Sequence, residues 1–111
     1  MKKISRTGLK KKLDKLFSLK VRSVGKCERC GSTSNLQCAH VYSRKNLSIR
    51  WDLENAVCLC LKDHLYWAHK EPIEFTEWVK GIRNLNYLRT KMQIVAPVKD
   101  YELEEILETL I

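Results

Sequence analysis

The five cysteines and three histidines of this chain all lie between Cys27 and His69. None occurs in the 42 residues after His69, although thiols and imidazoles used only for packing would be spread along the chain. Cys27 and Cys30 form a C-x-x-C pair and precede Gly31, a residue that tolerates positive φ. This spacing is typical of a turn that presents two thiolates to one metal ion. The clustering therefore indicates a metal site.

A second pair of ligands is needed to complete a tetrahedral zinc site around these two thiolates. Cys60 and Asp63 repeat the same spacing further along the chain. Because a carboxylate is a harder ligand than a thiolate, His64 or Cys38 could replace Asp63. We expect a structural zinc ion, and its expected ligands are Cys27, Cys30, Cys60 and Asp63.

An odd number of cysteines beside histidines is typical of an intracellular metal site rather than of a disulfide framework. The basic N-terminus leads into no apolar signal-peptide core, and no apolar run approaches the roughly 20 residues of a membrane span. With 111 residues, the chain has room for one domain. We therefore expect a soluble cytoplasmic protein without a membrane partner.

Positive charge is concentrated in one half of the chain, whose net charge is +8. Residues 1–50 contain 14 Lys and Arg against 2 Asp and Glu, whereas residues 51–111 contain 7 against 11. Because binding to phosphates releases condensed counterions, this asymmetry favours a nucleic-acid partner. Candidate phosphate contacts, which in the alternative interpretation only keep a helix solvated, are Lys10, Lys11 and Lys12.

The N-terminal half of the chain predicts one helix and two strands. Residues 5–22 have the period of an amphipathic helix, with Ser5 as a candidate N-cap. Residues 36–42 and 57–60 contain β-forming residues and predict short strands. The segment between them shows no sustained period, so we expect a long loop held by three apolar side chains: Leu47, Trp51 and Leu53.

The C-terminal half predicts helices, so the expected fold class is α+β and mostly helical. One helix begins near Lys62, carries His64 and ends before Pro72, because the residue before a proline disfavours helical dihedrals. Three further helices are predicted, the last with Asp100 as candidate N-cap. They cover residues 72–81, 84–93 and 101–111.

A strand ending near His40, a loop carrying Asn55 and a helix carrying His64 follow one another within the predicted zinc frame. In this order the residues resemble the HNH endonucleases, in particular the zinc-stapled type found in phages and prophages. The resemblance runs from Cys27 to about Pro72, about two-fifths of the chain. It implies a ββα-metal fold, in which two antiparallel strands and a helix surround one divalent ion.

The resemblance also implies a single nuclease domain spanning residues 1–111. Its ββα-metal, treble-clef-like core would cover residues 26–72, after a basic helix at 1–25 and before a helical extension at 73–111. The implied activity is hydrolysis of phosphodiester bonds in double-stranded DNA, by a monomer that nicks one strand or by a weak dimer. Its implied setting is the cytoplasm of a bacterial or phage-infected cell.

Each matched residue takes an implied catalytic role. His40 would be the general base that activates a water molecule against DNA, since imidazole titrates near neutral pH. Asn55 would hold the loop after His40 through its amide; the alternative is an ordinary loop asparagine in an Asx turn. His64 would bind a catalytic Mg²⁺ or Mn²⁺ ion, with His69 as a second candidate ligand.

Two arginines are candidate clamps for the substrate phosphate, namely Arg44 and Arg50. An arginine beside Trp51 could equally be a stacked structural residue.

Two positions depart from the family pattern. Ala39 stands where many relatives have an Asp or His metal ligand. His69 follows His64 by five residues instead of four, which is about 140° around an ideal α-helix. We therefore expect the helix to be overwound or to end before His69, unless His69 does not bind the same ion. The alternative function is a zinc-stabilised module that binds nucleic acid or a protein without catalysis.

Overall fold

A computed structural model describes residues 4–94 and 97–111, so positions 1–3 of the predicted basic N-terminal segment lie outside the described residues. Within these ranges no helix is long and apolar enough to cross a lipid bilayer. A 3₁₀ turn (Leu53–Asn55) precedes the second strand, and a π-helical turn (His64–Ala68) follows the second helix. The other elements are α1 (Arg6–Arg22), β1 (Leu36–His40), β2 (Ala56–Cys60), α2 (Leu61–Asp63), α3 (Pro72–Lys80), α4 (Leu85–Met92) and α5 (Asp100–Leu110).

The two strands form an antiparallel sheet that is covered by helices on both faces. Successive side chains of a strand point to opposite faces, so Ala56 and Cys58 face one layer while Val57 and Leu59 face the other. Every residue of β2 is buried. This two-sided burial explains the continuous apolar sequence of β2, and the chain has the predicted α+β fold with a small sheet.

The predicted N-terminal helix is confirmed as α1, and it forms one layer together with α5. Ser5 is its N-cap, since Ser5 Oγ accepts a hydrogen bond from Gly8 N at 3.1 Å. Leu103 of α5 is fully buried in the same cluster, and an ion pair between Arg6 and Asp100 joins the two helices. The side chains that α1 buries against the sheet are Leu9, Leu13, Phe17 and Val21.

The opposite layer contains α3, α4 and the π turn. Leu85 and Leu88 of α4 are buried. On α3, Phe75 and Val79 are buried, whereas Ile73 is 80% exposed. The difference arises because α3 packs only one narrow stripe of side chains against the sheet layer.

The loop between the strands is held by two of the three side chains predicted and by one that was not predicted. Leu53 was expected to pin this loop but is 47% exposed. Ile49 is fully buried and Trp51 is 5% exposed, while Leu47 packs partly buried against the α1 cluster. An irregular loop has no period from which the inward positions can be deduced, so only the fold determines them.

Two ends of elements also differ from the predictions. β1 ends at His40 rather than at residue 42, because Tyr42 N donates at 2.7 Å to the side-chain oxygen of Asn55 instead of to a strand carbonyl. α5 begins at Asp100, so its N-cap is Lys99. Glu102 accepts a hydrogen bond from Lys99 N at 2.8 Å and thereby takes the capping contact.

Asp14 of α1 fastens this helix to the loop. Its carboxylate accepts hydrogen bonds from Arg50 Nη2 at 2.6 Å, Trp51 Nε1 at 2.8 Å and Arg44 Nη2 at 2.6 Å. Burial alone raises the pKa of Asp14, but the hydrogen bonds from Arg50 and Trp51 and the charges of both arginines outweigh it and lower the pKa below 3.8. Asp14 is therefore ionised at neutral pH.

We expect Asp14→Asn to lower the free energy of unfolding by about 1–3 kcal/mol at pH 7, because charged hydrogen bonds to half-buried partners are lost. Since the folded-state pKa is depressed, this stabilisation is present above the unfolded value near 3.9 and is lost as the pH falls through the folded-state pKa. Urea unfolding at several pH values measures the difference between wild type and variant, which should shrink in acid.

The matched control is Glu77→Gln, which removes an exposed ion pair with Lys80. This variant should change the free energy of unfolding by less than about 0.5 kcal/mol. Equal losses in the two variants, or a loss in Asp14→Asn that persists unchanged at low pH, would contradict the role given to Asp14.

Candidate metal centre and histidine pocket

Three thiols and one carboxylate meet at the start of α2. The ligand atoms that all lie within 4.8 Å of one another belong to Cys27, Cys30, Cys60 and Asp63. Cys30 Sγ and Cys60 Sγ are 3.7 Å apart, and Cys27 Sγ lies 3.3 Å from Asp63 Oδ2. A tetrahedral zinc ion with Zn–S bonds of about 2.3 Å has S–S edges of about 3.8 Å. The four residues fit this geometry and could bind a metal such as zinc.

The turn that carries Cys27 and Cys30 is held by backbone and side-chain hydrogen bonds. Gly31 N donates to Cys27 O at 2.9 Å, and Gly31 has a φ of 80°, where a side chain would be strained. Glu28, between the two cysteines, accepts a hydrogen bond from Cys58 N at 2.7 Å. This contact ties the turn to β2, the strand that ends at Cys60.

The other half of the cluster is formed where β2 becomes α2. Cys60 is the N-cap of α2, and its Sγ accepts a hydrogen bond from Asp63 N at 3.5 Å. Arg29 Nη1 donates to Asp63 Oδ1 at 2.9 Å while Arg29 lies 3.7 Å from the centre of the Trp67 ring. Burial raises the pKa of Asp63, but hydrogen bonds from the neighbouring thiols and Arg29 lower it below 3.8. The carboxylate is therefore in the ionised form that binds metals.

The fourth position of the cluster is taken by Asp63. The two alternatives that the sequence left open, Cys38 and His64, line a separate pocket. A backbone hydrogen bond lowers the pKa of Cys30, but hydrogen bonds to Asp63 and the other thiols raise it to about 12. Because the Cys30 thiol is protonated at neutral pH, metal binding there must release its proton, as is general for thiolate sites.

The three histidines of the chain line one pocket of about 410 Å³. His40 is the last residue of β1, His64 begins the π turn and His69 directly follows it. The pocket therefore lies where the sheet edge meets the helix that leaves the metal centre. Its other lining residues come from α1, β1 and the loop, and they are Asp14, Ser18, Cys38 and Arg44.

The π turn brings His64 and His69 together. His69 N donates to His64 O at 3.2 Å, a hydrogen bond across five residues, and the two imidazole rings are 4.5 Å apart in an edge-to-face arrangement. The sequence predicted a helix that is overwound or that ends before His69. The helical turn does end before His69, at Ala68, but it is underwound rather than overwound. The wider turn places residues five apart on one side, where an ideal α-helix would separate them by about 140°.

His40 is held in one tautomer by the loop. Its Nε2 lies 3.1 Å from the carbonyl oxygen of Arg50, which can only accept, so Nε2 carries the proton and Nδ1 has a free lone pair. Burial lowers the pKa of His40 and outweighs the effect of the carbonyl. Phe17 covers the imidazole at a ring distance of 5.5 Å. His40 is therefore a neutral base at pH 7.

Asn55 is fully buried and makes three hydrogen bonds to the loop. Its Oδ1 accepts from Tyr42 N at 2.7 Å, and its Nδ2 donates to Tyr42 O and to Ile49 O, each at 3.2 Å. These contacts hold the two ends of the loop between His40 and Arg50. The carbonyl that orients His40 is thereby placed by the amide of Asn55.

Ala39 lies on the same strand face as Gln37, opposite to the face of His40. Ala39 is 1% exposed and supplies no ligand atom. Gln37 Oε1 instead lies 2.7 Å from His64 Nδ1. Sequence reasoning missed Gln37, although the two-residue period of a strand would have placed it beside Ala39.

The arginines predicted to clamp a phosphate are both bound to Asp14. The side chain of Arg50 is 16% exposed and its guanidinium carbon lies 5.1 Å from the Trp51 ring centre, so Arg50 mainly fixes the loop. Arg44 is 57% exposed and lines the histidine pocket. Of the three predicted lysine contacts, Lys11 and Lys12 are exposed and Lys10 is half-buried.

Arg22 is a further cation beside the pocket that sequence reasoning missed. Its Nε donates to Ser18 Oγ at 3.1 Å, and Ser18 lines the pocket. Burial raises the pKa of Cys38, another lining residue, to about 11, and the charge of Arg22 opposes this shift. Within residues 4–94 and 97–111, Arg22 forms no ion pair. Ser18 lies at the pocket only in the folded chain, so no local signal in the sequence identifies Arg22.

Comparisons with known proteins found no matching family model, no matching curated protein and no matching solved structure.

We expect the purified chain to hold zinc tightly and to lose it in the Cys27→Ser variant, because a thiolate ligand is replaced by a weak hydroxyl. Loss of the ion should lower the melting temperature, by about 4 °C or more for each kcal/mol of lost stability. Elemental analysis of zinc and thermal unfolding with and without a chelator measure both effects.

Cys38→Ser is the matched control, since Cys38 lies outside the thiol cluster and lines the pocket instead. It should keep its full zinc content. If Cys38→Ser loses zinc as Cys27→Ser does, or if neither variant loses any, the assignment of the cluster as the zinc centre is wrong.

Proposed function

We propose that this protein is a metal-dependent DNA endonuclease of the HNH type, with β1, β2, α2 and the π turn as its ββα-metal core. The observation that carries the proposal is the pocket shared by His40, His64 and His69, next to a cluster suited to a structural zinc. This pocket is lined by a neutral base with a fixed tautomer and by two paired imidazoles. This combination suits hydrolysis of a phosphodiester bond.

His40 acts in this proposal as the general base. Nε2 is engaged by the carbonyl of Arg50, so Nδ1 accepts the proton from the attacking water molecule. The lowered pKa keeps the imidazole unprotonated at neutral pH. Asn55 is a positioning residue, because its three hydrogen bonds hold the loop that carries this carbonyl.

His64 and His69 are the residues that would hold a catalytic divalent ion. Within the described part of the chain, no group of three His, Cys, Asp or Glu ligands forms at this pocket. Two imidazoles therefore leave most coordination positions to water and the substrate phosphate, which fits the hydrated character of Mg²⁺ or Mn²⁺. When bound, such an ion supplies Lewis-acid stabilisation of the charge that develops on the phosphate and the leaving oxygen.

Double-stranded DNA is the proposed substrate. Its phosphates would meet Arg44 at the rim of the pocket and Arg22 beside Ser18. The exposed Lys11 and Lys12 of α1 would extend the positive surface. One such pocket acts on one strand, so a monomer is expected to nick duplex DNA, and a double-strand break requires a weak dimer or two binding events. A cytoplasmic site of action in a bacterial or phage-infected cell fits this activity.

The second candidate function is a zinc-stabilised module that binds nucleic acid or a protein without catalysis. The observation that favours it is Ala39, which leaves the histidine pair without the additional ligand typical of the HNH family. This alternative requires the thiol cluster and the basic surface but gives no role to His40.

We expect the zinc-loaded protein to convert supercoiled plasmid to open circles with Mn²⁺ or Mg²⁺, and His40→Ala to lower the rate by about 10²–10⁴-fold, since a general base contributes roughly this much. DNA binding, zinc content and far-ultraviolet circular dichroism of the variant serve as controls and should match the wild type. Nicking by His40→Ala at the wild-type rate, or no metal-dependent nicking by the wild type, would contradict the endonuclease proposal and favour the non-catalytic module.

We expect Arg22→Ala to weaken binding to a short DNA duplex and to reduce the slope of log affinity against log salt by about 1, because one phosphate contact is lost. The matched control is Lys20→Ala on the same helix, where a basic side chain is exposed without a contact to the pocket wall. Fluorescence anisotropy over a salt series measures both variants. A smaller effect of Arg22→Ala than of Lys20→Ala would remove Arg22 from the substrate surface.

A further inference from the structure

Within the described residues, Gln37 is the one side chain that hydrogen-bonds to an imidazole nitrogen of His64. Its Oε1 lies 2.7 Å from His64 Nδ1, and the bond is partly buried between β1 and the π turn. Gln37 lies in the middle of β1, where it pairs with the fully buried Leu59. Because the strand is anchored in the sheet, the position of the amide is set by the fold rather than by a mobile loop.

This contact determines the tautomer of His64. An amide oxygen can only accept a hydrogen bond, so a neutral imidazole facing it carries its proton on Nδ1. The lone pair then lies on Nε2, the nitrogen that remains available to a metal ion. Without such a partner a neutral imidazole exchanges between both tautomers and rotates more freely.

We propose that Gln37 is a positioning residue for the metal ligand His64: its amide oxygen holds Nδ1–H and thereby presents Nε2 to a divalent cation. This inference rests on the proposed function, since it assigns the same pocket. A hydrogen-bond partner on the second nitrogen fixes the ring and raises the basicity of a ligating histidine. Such a partner matters most where only two imidazoles hold the ion.

The position of Gln37 also relates to the missing ligand at Ala39. Both residues point to the strand face that meets the π turn. An alanine at 39 leaves space on this face, and the longer glutamine two residues earlier reaches His64 from the same side. β1 thus orients the metal ligand His64 through Gln37 and supplies no ligand at position 39.

The test measures binding of Mn²⁺ to the zinc-loaded full chain by isothermal titration calorimetry. Gln37→Leu should weaken Mn²⁺ binding by about 10–100-fold, the loss typical of removing a partner of a metal-bound histidine. Gln37→Glu keeps an acceptor at the same distance and should retain wild-type affinity or exceed it. The matched control is Gln93→Leu, the same change at an exposed position, which should leave the affinity within about twofold of the wild type.

A second measurement examines the tautomer directly without added Mn²⁺. In ¹⁵N-labelled wild-type protein, nitrogen shifts should show His64 with its proton on Nδ1, and in Gln37→Leu they should show a mixture of both tautomers. This readout separates orientation of His64 from a general loss of stability, and the zinc content of each variant reports the integrity of the frame.

His64→Ala distinguishes failure of this inference from failure of the proposed function. If His64→Ala binds Mn²⁺ like the wild type, the ion does not bind at this pocket and both proposals are overturned. If His64→Ala loses binding but Gln37→Leu binds like Gln93→Leu, or if His64 carries its proton on Nε2, the role of Gln37 alone is overturned.

Discussion

The contact of Cys60 and Asp63 with the thiols of Cys27 and Cys30 is the constraint on which the rest of the site depends. Asp63 directly precedes His64, so the residue that completes the thiol cluster also fixes where the π turn begins. Without this contact, the short α2 would have little to hold it, because three residues cannot form a stable helix alone. A metal bound at the cluster would therefore stabilise the histidine pocket as well as the fold.

The small sheet connects the cluster to the pocket by using both of its faces. One face of β1 carries Gln37 toward the π turn, while the other carries Cys38 and His40 toward α1. A strand offers opposite faces at alternate residues, so neighbouring positions can serve two different layers. The pocket forms at the end of β1 because His40, the last residue of the strand, lies there beside the π turn.

Two hydrogen-bonded networks restrict the loop between the strands. Asn55 binds its backbone from inside, and Asp14 binds Arg44, Arg50 and Trp51 from the side of α1. The basic surface is consequently reduced where two arginines are neutralised by one carboxylate, which gives Arg22 more weight in the proposed binding of DNA. Both proposed functions, endonuclease and binding module, need the thiol cluster and the basic surface. They differ in whether the histidine pocket has a catalytic role.

The sequence by itself determined the α+β class, most helix positions and the three cysteines of the thiol cluster, because hydrophobic period and C-x-x spacing are local properties. The fourth position of the cluster was left open until the structure placed Asp63 there. Only the tertiary structure decided the π turn that brings His64 beside His69, since underwinding depends on packing around the turn. It likewise decided the pairing of Arg44 and Arg50 with Asp14 and the contact of Gln37 with His64, which join residues 27 to 36 positions apart. Spacing along the chain carries no information about such distant partners.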